Sequence, residues 1–154
     1  MNNDLIRTYS YRISQANRSQ LVVVIYDLAI DYLKEACQLE KVEEKRHNIV
    51  NAGRAIDQLI VGLNMEFDLS QNLFIIYNHI KRSLISASVK LDNGELERVI
   101  ALLSKLRKSF YEVSKADESA PLMKNTQNVY AGLTYSRLGA CESVTNNANR
   151  GYIV

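Results

Sequence analysis

Proline occurs once in this chain, at position 121 of 154. A proline-free stretch ahead of it can run long helices without the ring clash and lost donor that break them. An all-β fold needs many turns instead, and only 6 glycines are available to make them. The proline also marks a change in composition. Residues 1–120 carry as many acidic as basic side chains, whereas residues 121–154 hold five Asn, three Thr, two Ser and three Gly and keep no sustained helical period. The expectation is an all-α domain over residues 1–120 followed by an irregular, partly mobile tail over 121–154. Within that tail, Val129, Ala131 and Leu133 alternate with Tyr130, Gly132 and Thr134, a period of two that suits a short docked strand.

Start signals divide the first 120 residues into four helices. Asn17 and Gln20 stand three apart ahead of Leu21, the pattern of a capping box, so the first helix runs from about Arg18 to Leu39. Glu40–Arg46 is charged except for Val42 and reads as the first turn. The second helix follows Ile49, Ala52, Ile56, Ile60, Leu63 and Phe67. Asp68 with Gln71 opens the third, whose stripe is Leu69, Leu73, Tyr77, Ile80, Leu84, Ala87 and Leu91. Asp92-Asn93-Gly94-Glu95 ends it and caps the fourth, which carries Val99, Leu103, Leu106, Phe110 and Val113 and frays near Asp117. Helices of about 22 residues span about 33 Å, and short turns force antiparallel neighbours. The fold expected is an antiparallel up-down-up-down four-helix bundle. Residues 1–16 precede it as an N-terminal segment, in which Leu5, Ile6, Tyr9, Tyr11 and Ile13 fold back over apolar surface without a helix of their own.

A plain bundle leaves apolar side chains over. The polar residues of the first helix, Asp27, Asp31, Lys34, Glu35 and Gln38, fall within about one third of its circumference, so that helix is covered on more than one side. The other helices carry apolar rows beside their core stripes: Val50, Val61 and Met65 on the second, Phe74, Ile85 and Val89 on the third, Ile100 and Tyr111 on the fourth. Such rows either complete helix–helix contacts or form an open groove for a partner helix, and periodicity does not choose between the two.

Sites for chemistry are scarce. A net charge of +2 is too small for a nucleic-acid footprint. The longest apolar runs, Leu21–Tyr26 and Leu73–Tyr77, are too short to insert across a membrane. The N-terminus lacks a secretory signal, and Cys37 and Cys141 have no metal-type spacing, which points to free thiols in a cytoplasmic protein. A di-metal bundle needs paired Glu-x-x-His elements. Glu44 and His47 supply one, but Ile76 precedes His79 where the second would need its Glu. The acidic row Asp27, Asp31, Glu35 reads as a solvated face opposite basic residues. No catalytic residue, metal or cofactor is expected. One alternative is a histidine phosphotransfer module, since His79-Ile80-Lys81-Arg82 sets a histidine off the core stripe with a lysine close behind it.

The opening Ile13-Ser14-Gln15-Ala16-Asn17-Arg18-Ser19-Gln20-Leu21, with Val24-Ile25-Tyr26-Asp27 behind it, resembles the start of the flagellar export chaperone family FliS. Leu73–Ile80 with Arg82, Leu84, Ala87 and Asp92 is similar to that family's third helix, and Leu106-Arg107 with Phe110 to its fourth. The likeness covers residues 9 to about 117. It departs at Arg18 in place of a cap proline, Leu28 in place of a glycine, Ser88 in place of an asparagine and Phe110 in place of a tryptophan. The resemblance implies a non-enzymatic cytoplasmic chaperone that binds the disordered C-terminal segment of flagellin, prevents premature polymerisation and helps deliver it to the flagellar export gate, itself a further partner. A monomer or weak homodimer is expected. The flanking rows then become the candidate contact set: Val50, Val61, Met65, Phe74, Ile85, Val89, Ile100 and Tyr111, joined by Ile13 and Tyr26.

Overall fold

The computed structural model describes residues 3–123, and the expectations for the tail beyond them lie outside the described residues. The chain divides into a unit of residues 1–122 and another of residues 123–154, and the account below concerns the first. Its regular structure among the described residues is all helix: α1 (Asn3–Gln15), α2 (Arg18–Gln38), α3 (Val42–Val61), α4 (Asp68–Lys90) and α5 (Asn93–Ala116).

Two of the three start signals act as the sequence indicates. The Asn17 side chain accepts from the Gln20 amide at 2.9 Å while the Gln20 side chain accepts from the Asn17 amide at 3.0 Å, a reciprocal pair that begins α2. Asp92 accepts from the Glu95 amide at 3.2 Å and begins α5. The third differs: Phe67 holds the cap position of α4, and Asp68 sits in the first turn, where the helix dipole favours a carboxylate. The Gln71 side chain turns back to donate to the Met65 carbonyl at 3.1 Å.

Three boundaries depart from expectation, each for a physical reason. Residues 3–15 form a helix, with Ile6, Tyr9 and Ile13 spaced by three and four and Tyr9 buried against α2. The charged block Glu40–Arg46 contributes only its first two residues to the turn. Lys45 is buried there, its ammonium donating to Asn93 Oδ1, while Asn93 Nδ2 donates to the Cys37 carbonyl at 3.2 Å. This polar clamp joins the ends of α2, α3 and α5, and the lysine stem covers apolar surface as long charged side chains do. Finally, α3 stops at Val61, which leaves Leu63 and Phe67 outside it. Leu69 and Val113, expected in core stripes, are exposed, whereas Leu96 is fully buried.

α2 packs against both α3 and α5, α4 packs against the same two, and α1 lies on α2. The cross-contacts run in opposing order. Asn17 Nδ2 donates to the carbonyls of Asp117 and Ser119, Asp27 meets Arg107, and Cys37 meets Asn93. Between α3 and α4, the Arg46 guanidinium donates to the Ser88 carbonyl and Asp57 pairs with Lys81. The centre is filled by Tyr26, Leu33, Ile56, Tyr77, Ile80, Leu96 and Leu103. The Tyr26 and Tyr77 hydroxyls hydrogen-bond to each other, and the Phe110 ring lies 5.5 Å from that of Tyr26. Among the described residues no buried side-chain polar atom lacks a partner, as a well-formed interior requires.

Candidate partner-binding groove

The flanking rows do not converge on one face. Three of their members do meet, in an open groove of about 280 Å³ between α3 and α4. Ile49, Val50 and Gly53 contribute from α3, and Leu84, Ile85, Ser88 and Val89 from α4. Ile49 and Leu84 belong to the core and form the floor. Val50, Ile85 and Val89 stand on the walls, exposed by 49%, 64% and 73%. A wall of side chains with about half or more of their surface in water is not sealed core; it has apolar area left to cover. The Asp57–Lys81 ion pair crosses from α3 to α4 at one end of this groove.

The remaining candidates are placed elsewhere. Val61 is exposed at the end of α3, Met65 in the connection to α4, and Phe74 on α4. Ile100 packs half-buried against the core. Ile13 is half-buried on α1. Tyr111 lies on α5 with the Arg107 guanidinium 4.9 Å and the Lys115 ammonium 4.7 Å from its ring, beside a shallow depression shared with α1 and α2. Tyr26 is corrected outright: it has no exposed surface, and burial together with its hydroxyl–hydroxyl hydrogen bond with Tyr77 pushes its hydroxyl pKa well up. It is a core residue.

A second apolar concavity, of about 480 Å³, opens near the α3–α4 connection. Leu21, Val22 and Ile25 of α2, Leu63, Leu69 and Phe110 line it, and Leu122 reaches it because its amide donates to the Ala16 carbonyl at 3.0 Å. Sequence reasoning missed this site. The signal was present in the breadth of apolar surface on α2, which exceeds what α3 and α5 cover.

α1 is held on α2 by charge as well as by the buried Tyr9, whereas Leu5, Ile6 and Tyr11 are exposed. Arg12 donates to Asp27 Oδ2 at 2.5 Å, and Arg107 of α5 donates to the same carboxylate at 2.8 and 3.3 Å. Burial alone would raise the Asp27 pKa; the hydrogen bonds from Arg107 and Arg12 outweigh it and hold the carboxyl below its ordinary range. Tyr9 donates to Asp31, and burial followed by that bond raises its hydroxyl pKa. Of the acidic row, Asp27 faces basic residues and Asp31 a tyrosine hydroxyl, both from beneath α1 rather than in open solvent.

Among the described residues no group of His, Cys, Asp and Glu could hold a metal ion, and no helix is long and apolar enough to cross a membrane. His79 is exposed on α4.

The chain is similar over residues 1–117 to the family described as flagellar protein FliS. It is 23% identical over 108 residues to the flagellar secretion chaperone FliS of Bacillus subtilis (strain 168), covering 68% of this chain and 81% of that protein. To the flagellar secretion chaperone FliS of Escherichia coli (strain K12) it is 26% identical over 106 residues, covering 65% and 78%. The family match spans the whole helical unit, α1 included: this chain belongs to the FliS family, a family of chaperones and not of enzymes.

Proposed function

We propose that this protein is a cytoplasmic flagellar export chaperone that binds the disordered C-terminal segment of flagellin. By covering that segment it prevents premature polymerisation and assists secretion during flagellum assembly. Its working body is an antiparallel up-down-up-down bundle of α2–α5 over residues 1–120, with α1 laid across it, acting as a monomer or weak homodimer and handing its cargo to the export gate. The observation that carries this reading is the α3–α4 groove, whose walls Val50, Ile85 and Val89 keep from about half to nearly three quarters of their area in water. An amphipathic helix covers such a groove with its own apolar stripe.

The energetics suit a carrier. Covering what remains exposed on each wall residue is worth on the order of 1–2 kcal/mol at about 25 cal/mol per Å². Three such residues and the second concavity hold a segment firmly yet let it go without ATP. Nothing in the site or the family supports the phosphotransfer alternative at His79.

The test is suppression of filament growth. Seeded monomeric flagellin, followed by light scattering, should stop elongating when the protein is added in equal amount and resume when the complex is diluted. Unchanged elongation at a several-fold excess would contradict the proposal.

A further inference from the structure

Gly53 is out of place by every criterion internal to the fold. It sits in the middle of α3, where glycine is the poorest helix former after proline. No glycine among the described residues has positive φ, so no turn requires it. A Cβ built on Gly53 would meet nothing within 4 Å, so no neighbouring element requires its small size either. The one thing a methyl group would enter is the space above the floor of the α3–α4 groove, which Gly53 lines.

The charge of the groove points the same way. Of the charged groups that line it, Asp57 is already engaged by Lys81. Arg54, next to Gly53, is exposed and bonds only to Asn51 Oδ1 of its own helix, at 3.3 Å. Among the described residues that guanidinium has no carboxylate partner, and the lining is left with one uncompensated positive charge.

We infer that Gly53 and Arg54 set how the bound segment crosses the groove, Gly53 as the point of closest backbone approach and Arg54 as the partner of an acidic side chain on the bound helix. This rests on the flagellin reading above. The groove runs from Ile49 to Asp57 on α3, about 12 Å at 1.5 Å per residue, enough for two turns of helix. The occupant is therefore an amphipathic helical stretch of flagellin with a small residue facing Gly53 and a carboxylate within reach of Arg54. A bulky residue at that crossing would be held off by the walls, and a basic flank would be repelled.

The prediction for Gly53→Ala has two opposite signs. The variant should melt higher by about 3 °C, since alanine is the better helix former at an ordinary helical backbone. Yet it should bind monomeric flagellin about tenfold more weakly in calorimetric titration, because the methyl fills the crossing point. Arg54→Gln should weaken binding at low salt and abolish its salt dependence, with Arg54→Lys keeping most of both. Failure of the wild-type protein to bind flagellin would sink the functional reading itself. Wild-type binding matched by Gly53→Ala, or a lower melting temperature for that variant, would overturn this inference while leaving the functional reading in place.

Discussion

Asp27 shows how one side chain joins three helices. Its two oxygens take hydrogen bonds from Arg12 of α1 and Arg107 of α5, and it is the most buried of the three partners. A carboxylate held by two guanidiniums is worth more than a surface pair, which contributes little. Because its folded pKa is lowered, its contribution is fully present above the ordinary carboxylate range and is lost only as pH falls through the lowered value. α1 should therefore stay docked with no pH dependence from this group between pH 5 and 8 and loosen below about pH 4. Asp27→Asn should cost about 1–3 kcal/mol of α1 docking at neutral pH. Amide exchange over residues 5–15 should then speed up about tenfold or more, with the acid step gone. Exchange equal to wild type would mean that the apolar contact of Tyr9 holds α1 by itself. The sequence displayed this acidic row but not its partners, because Asp27 lies 15 and 80 residues from the two arginines.

At the scale of elements, the starts of α2 and α5 were legible because their caps are local: Asn17 with Gln20, and Asp92 with Glu95, each bond across three residues. Boundaries set by distant partners were not. The start of α3 depends on Lys45 reaching Asn93, 48 residues away. α1 was hidden for a different reason: its spacing of Ile6, Tyr9 and Ile13 is helical, but the strong cap at Asn17 drew the first helix boundary past it. The α4–α5 connection carries a further surprise. Its left-handed residue is Leu91, at φ 57°, while Gly94 lies inside α5. A side chain in that region is strained by about 1 kcal/mol relative to glycine. Leu91 is partly buried, so Leu91→Gly sets relief of that strain against lost packing and should change stability by no more than about 1 kcal/mol. Denaturant unfolding measures this, and a loss of more than about 1 kcal/mol would show that the leucine side chain matters more than the strain.

For the whole molecule, period and capping foretold the all-helical unit, while the excess of apolar side chains left open whether they complete helix contacts or face an open groove. Which of those side chains share a groove was not readable. Val50, Ile85 and Val89 meet only because α3 and α4 lie side by side with Arg46 against Ser88 and Asp57 against Lys81. The same arrangement scatters Val61, Met65, Phe74 and Tyr111 to other places and buries Tyr26. A single glycine on α3 was equally silent, because its meaning lies in the empty space above it. The account holds that a sealed core carries the fold and an open groove carries the cargo. The two respond oppositely to charge: a carboxylate in sealed core costs several kcal/mol, while one on a wetted wall costs little until a partner must desolvate it. The most direct measurement is therefore paired melting and flagellin titration of Ile85→Asp, in the groove wall, against Leu73→Asp, which is buried. Ile85→Asp should melt within about 2 °C of wild type and bind flagellin at least tenfold more weakly, whereas Leu73→Asp should not fold. If Ile85→Asp unfolds like Leu73→Asp, or folds and binds flagellin as wild type does, the α3–α4 groove is not where this protein holds its partner.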